Sequence, residues 1–235
     1  MMKFETIEAG SRIGNRQVLG VALYEDFTAG DLSPLPSSIA LLTEMHIPRG
    51  NFKAKRGRVM VVPLANGETQ CVVLAGMGAR GEARPDDYRL AAYNITKAAA
   101  TRGKPNVSMA IPGAAEYGVS RAIGEGVALA CYRFEKYHAH DEDDRFSVPE
   151  NVAVLDGNVK ALGEGFTIGE CQSYARNLAN EPGNVIKPAV LATRADALAS
   201  ENGLDSKVLD EKALAEKGMN ALLAVGKGSA SQPRL

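Results

Sequence analysis

A chain of 235 residues with 45% hydrophobic content is long enough to bury a core, and its mixed charge marks it as globular. Lysine and arginine number 27 against 28 aspartate and glutamate, a net charge of -1, so no global field draws it to nucleic acid or an anionic membrane. The start, MMKFETIEAG, lacks the basic flank and apolar core of a targeting signal, and no segment reaches about eighteen uncharged apolar residues, which predicts a cytoplasmic protein without a membrane span. Cys71, Cys131 and Cys171 are odd in number and far apart, with no C-x-x-C pair, so they read as reduced, buried thiols.

In chain order, RGNFKAKRGR gathers Arg49, Lys53, Lys55, Arg56 and Arg58 into a charged lead-in. VMVVPLANGETQCVVLAG follows, with Asn66-Gly67 between two β-branched runs, and predicts an antiparallel hairpin of strands 58–64 and 70–76. The next helix starts at Pro85, carries Asp86 and Asp87 in its positive first turn, and stops at Gly103 and Pro105. Tyr88, Ala91, Ala92, Ile95, Ala98 and Ala99 form its buried stripe. NVSMAIPG reads as a strand, YGVSRAIGEGVALACYRFEKY as a helix with Val119, Ile123, Val127, Ala130 and Phe134 on one face, and NVAVLDG as a strand. Alternating strands and helices predict an α/β fold, a mostly parallel sheet flanked by helices with an added β-hairpin.

That first domain spans residues 1–157. From Asn158 the texture changes: Ala161, Gly165, Gly169 and Ser173 recur every four residues along a helix, and each glycine costs about 1 kcal/mol relative to alanine. Something must therefore approach that side closely; if a missing second-domain sheet is the cover, that side is left sticky here. A second helix follows at KPAVLATRADALASENG, then a short strand at KVLD, a short helix and a strand at ALLAV. Two short strands cannot cover three helices. Residues 158–235 therefore read as an incomplete second α/β domain, with a helical appendage folded onto the first sheet as the alternative.

Four motifs imitate functional sites. Gly76, Gly78 and Gly81 spell G-x-G-x-x-G, but the helix starts four residues later, and Thr96 and Lys97 stand where the ribose-binding carboxylate belongs, so they read as a flexible connection. HAHDEDD, His138 to Asp144, carries metal-capable groups in a solvated loop without supporting structure. The basic stretch around Phe52 offers phosphate contacts but one aromatic only, and VGKGS, Val225 to Ser229, has Gly228 where a phosphate loop needs a hydroxyl.

ARNLANEPGNVIKP, followed by VLDEKALAEKGMNALLAVGKGSASQPRL, closely resembles the segment that opens the catalytic domain of the leucyl aminopeptidase (cytosol aminopeptidase) family. FKAKRGRVMVVPLANGETQCVVLAGMGAR and YRFEKY resemble that family's amino-terminal domain, so the likeness runs from about residue 17 to the last residue. The resemblance implies a cytoplasmic metallo-exopeptidase, typically hexameric, that removes amino-terminal residues from peptides with two divalent metals, zinc or manganese. The family's ligand strings, Phe-Asp-Ser-Gly-Gly and Asn-Thr-Asp-Ala-Glu-Gly-Arg, have no counterpart here. Lys227 matches the segment before the ligand-bearing strand and takes no metal role, so no catalytic, cofactor-binding or metal residue is assigned. The chain then reads as an amino-terminal fragment, inactive alone and without a metal. The alternative is a noncatalytic module that binds nucleic acid or a protein partner through its first sheet and basic stretch.

Overall fold

The computed structural model describes residues 2–14, 16–64, 68–103, 106–138 and 146–235. Its strands are β1 (Lys3–Ile7), β2 (Val18–Leu23), β3 (Val59–Pro63), β4 (Cys71–Gly76), β5 (Asn106–Ala110) and β6 (Asn151–Leu155). Its helices are α1 (Ser37–His46), α2 (Pro85–Ala100), α3 (Tyr117–Cys131), α4 (Val159–Asn180), α5 (Pro188–Glu201), α6 (Glu211–Glu216) and α7 (Asn220–Gly226). The chain forms two compact units, Met1–Tyr174 and Ala175–Leu235.

The first unit holds one six-stranded sheet in the order β1-β6-β5-β2-β4-β3. Every neighbouring pair is parallel except β3 and β4, whose antiparallel register sets Val62 opposite Val72. This is the anticipated α/β sheet with its hairpin; the Asn66-Gly67 turn lies outside the described residues. Sequence periodicity did not reveal β1, β2 or α1. β2 is buried at all six positions, so it shows no alternation to read.

Period-two alternation divides the strand side chains between two faces. Val18 and Ala22 of β2, with Val73, Ala75, Val107, Met109, Val152 and Val154, pack under Ile95 of α2, Ile123 of α3 and Leu162 of α4. Leu19, Val21, Leu23, Val72 and Leu74 face the other way, onto Ile13, Leu32, Leu35 and Phe52. Gly20 admits Ile95, because a β-carbon there would overlap that side chain.

The small-residue side of α4 is covered by α3, not by a second-domain sheet as the sequence suggested. A β-carbon on Gly165 would overlap the backbone of Arg121 and Glu125, one on Gly124 would overlap Leu162 and Phe166, and one on Gly169 would meet the Ala128 side chain. Ser120, fully buried, ties the two helices: its hydroxyl donates to the Ala114 carbonyl at 2.6 Å and accepts from Asn158 N–H at 2.8 Å. The Asn158 side chain then accepts from Ala161 N–H at 3.0 Å and caps α4. These contacts carry the first unit past residue 157, and its division from the second falls within α4. α3 stops at Cys131 rather than running through Phe134, whose ring instead lies 5.9 Å from that of Tyr137.

In the second unit Leu214 is fully buried, while Leu191, Leu198, Leu204, Val208, Val225 and Leu235 are exposed. The strand expected at ALLAV is helical, as α7: a five-residue apolar run has no readable period, and its alanines and leucines favour helix. No strand forms at KVLD. Instead Leu209 and Leu235 exchange both backbone hydrogen bonds, at 2.6 and 3.1 Å, the geometry of one closely spaced antiparallel rung.

Candidate functional site

The glycine-rich stretch serves backbone packing. Gly76 ends β4, and a β-carbon there would overlap Ala54 and Lys55, whose segment runs across it. Gly57 N–H donates to Gly76 at 2.9 Å and Gly78 N–H to Ala54 at 3.0 Å, and Gly78 sits at φ 81°. The positive end of α2 meets a carboxylate of its own chain: Asp87 accepts from Arg84 N–H at 2.9 Å and pairs with Arg56. The Gly76 and Gly78 amides are thus engaged within the chain, the first with Arg58 and the second with Ala54.

The basic stretch is laid out by alternation. Phe52 and Ala54 point inward, Phe52 within 6.3 Å of the Phe27 ring, so Lys53 and Lys55 point outward. Arg49 and Arg58 are exposed, and Arg56 is the member bound to Asp87. Of HAHDEDD only His138 lies among the described residues, and among these no group of three or more His, Cys, Asp or Glu could hold a metal ion. The two divalent metals implied by the resemblance therefore find no fitting donor set in the described part of the chain. Lys227 is the exposed C-cap of α7, its N–H donating to Leu223 at 3.1 Å, and Gly226 packs on the Pro233 ring. Cys131 is shielded and its thiol is pushed up to about 12 by burial, whereas Cys171 is exposed and Cys71 buried.

A second cluster, invisible in the sequence motifs, lies just beyond β2. The Tyr24 hydroxyl is 3.3 Å from that of Tyr88, and burial, helped by this hydrogen bond, pushes the phenol above its ordinary value so that it stays protonated. The Arg80 guanidinium sits 4.8 Å from the centre of the Tyr24 ring and pairs with Asp26 at 3.0 Å and Asp31 at 3.4 Å. Asp31 accepts from Thr28 N–H at 2.8 Å and from the Thr28 hydroxyl at 3.0 Å, and the Thr28 backbone bond holds its carboxyl below the usual range. Asp31 also lines a cavity of about 260 Å³ at the carboxyl ends of β2, β5 and β6. The Thr28-x-x-Asp31 spacing was the one trace of this site in the sequence. A larger cavity of about 600 Å³ lies within the second unit, between Ile186, Leu191 and Ala195 on one side and Val208 and Leu235 on the other.

Residues 18–141 match the model of the cytosol aminopeptidase family, N-terminal domain, and residues 173–235 match that family's catalytic domain. A probable cytosol aminopeptidase of Aquifex aeolicus is 39% identical over 222 residues, covering 92% of this chain and 44% of that protein. One of Persephonella marina is 34% identical over 197 residues, covering 78% and 39%. The chain thus spans less than half the length of these relatives. Among solved structures, the bottromycin maturation enzyme BotP in complex with Mn is 26% identical with a TM-score of 0.70, covering 93% of this chain and 44% of that one. A tomato leucine aminopeptidase variant superimposes with a TM-score of 0.81 at 21% identity, covering 100% and 50%, and shares the fold. With one family's two domain models matched in succession and a curated relative 39% identical over 92% of the chain, the chain belongs to the cytosol aminopeptidase family.

Proposed function

We propose that the chain is the amino-terminal part of a cytosolic aminopeptidase that removes amino-terminal residues from peptides. In this reading residues 1–157 form the amino-terminal α/β domain and 158–235 open a catalytic domain whose metal-binding strings lie elsewhere in the whole enzyme. That enzyme is a hexamer in the cytoplasm and takes two divalent metals, manganese or zinc, which activate water and polarise the scissile carbonyl when bound. This chain contributes scaffold: α2 and α3 cover one face of the sheet, and α4 runs into the segment matched by the second domain model.

The observation that carries the reading is the pair of successive domain matches, the second taking in residues 173–235. The second unit adds support. It leaves Leu191, Val208 and Leu235 exposed around a largely apolar cavity, as a core does when further chain completes it.

The purified chain, incubated with leucine anilide and manganese, is expected to show no turnover above a boiled control. Turnover would refute the inactivity of the fragment. Sequencing the coding DNA beyond Leu235 and expressing any in-frame continuation tests the other half: the extended protein should hydrolyse the anilide, and an extended protein that carries the ligand strings yet stays inert would sink the peptidase assignment.

A further inference from the structure

The sheet of the first unit opens at one place. The β2–β4 ladder runs on to Leu23 opposite Gly76, and β1–β6 to Ile7 opposite Leu155. Between them, β2–β5 ends at Val21 opposite Ala110, and β5–β6 at Met109 opposite Val154. Beyond β2 the chain turns through Asp31 and Leu35 onto one face, whereas beyond β5 it enters α3 on the other face. A crevice at the carboxyl ends of parallel strands, where successive connections leave in opposite directions, is where open α/β sheets take small ligands. The cavity of about 260 Å³ occupies this crevice.

Its lining states what it can hold. Val21, Ala110, Ile111 and Leu155 make an apolar floor, and Ser33 offers a hydroxyl at the rim. Among the described residues, Asp31 is the one charged residue of the lining. Its orientation is fixed, because one carboxylate oxygen takes both Thr28 donors while the other has only the long contact to Arg80 at 3.4 Å. A carboxylate accepts about four hydrogen bonds, so the second oxygen retains capacity toward a ligand. Arg80 is shared between Asp26 and Asp31, two carboxylates against one guanidinium, which leaves the rim one negative charge in excess. The described residues of the lining carry no positive charge to meet a carboxylate-bearing or phosphorylated ligand, and Arg80 beside it is already paired. A single ammonium finds its opposing charge in Asp31.

We propose that this crevice is a binding site for a primary amine carrying an apolar side chain and an uncharged carbonyl, as in the amino-terminal residue of a peptide or an amino-acid amide. The ammonium donates to Asp31, the side chain lies on Val21, Ala110 and Leu155, and the Ser33 hydroxyl donates to the carbonyl. The site belongs to the first unit and is independent of whether the chain forms part of an active peptidase.

The test is a titration of the ¹⁵N-labelled full chain with leucinamide, followed by amide shifts at mildly acid pH, with EDTA present so that metal-dependent hydrolysis cannot consume the probe. Saturable shifts in the low-millimolar range, centred on Gly30, Asp31, Ile111 and Leu155, are expected. Blocking the amine as N-acetyl-leucinamide, or removing the side chain as glycinamide, should weaken binding roughly tenfold or more, the scale of a charge-assisted hydrogen bond or a buried isobutyl group. Asp31→Asn keeps an acceptor for Thr28 and should cause a similar loss, and Leu155→Phe, which fills the floor, should abolish binding while unshifted residues report an intact fold. Equal binding of the acetylated amide, shifts centred in the second unit, or no saturable shift would each overturn the proposal.

Discussion

At single positions the molecule depends on what is absent from the side chain. Gly163 and Gly165 share α4 and differ in surroundings: a β-carbon on Gly163 meets open space, whereas one on Gly165 drives into the backbone of α3. Gly163→Ala should therefore raise unfolding free energy by the helix-propensity gain of about 1 kcal/mol, read as a higher urea midpoint at unchanged slope. Gly165→Ala should lower stability by about 1–3 kcal/mol through overpacking. Equal effects at the two sites would show that α3 and α4 are not in backbone contact in solution. The sequence announced this side through the four-residue spacing of Ala161, Gly165, Gly169 and Ser173, but not its partner. Nothing in α3 distinguishes Gly124 and Gly126 from ordinary weak points, although they receive α4 and α2 respectively.

For whole elements, legibility followed periodicity. α2 was readable at both ends because Pro85, Asp86 and Asp87 mark its start and Gly103, at φ 64°, follows its stop. β5 and β6 stood out as short apolar runs between turns. α1 carries Leu41, Leu42 and Met45 on its exposed side, so its apolar residues draw no single stripe and the helix was missed. The start of α4 was placed correctly for a reason that sequence could not supply, the relay from Ala114 through the Ser120 hydroxyl to Asn158. Replacing Ser120 with alanine strands a buried carbonyl and a backbone N–H, and should cost about 1–3 kcal/mol. Amide exchange at Asn158 and Ala161 should quicken beyond the global effect; protection that falls evenly over the first unit would argue against a local tie.

Across the whole chain, family membership was legible from long ordered strings in the second half, while the sheet came from alternating elements in the first. The crevice was not legible. Val21, Asp31, Ala110 and Leu155 are scattered along the chain, three of them are plain core residues, and only the topology brings them to one edge. The second unit is the reverse case: its sequence matches the family's catalytic-domain model throughout, yet it buries little of its own apolar surface. Light scattering should therefore rise with protein concentration, and Leu191→Lys combined with Val208→Lys should suppress the rise while leaving the first unit's thermal transition in place. A double variant that scatters as much as the parent would locate the sticky surface elsewhere. The lone rung between Leu209 and Leu235 gives this behaviour a biological edge. Bare leucines beside a single backbone rung are the kind of surface that chaperones and proteases engage, so the chain's lifetime in a cell should follow the exposure of that side rather than how firmly the six-stranded half is folded.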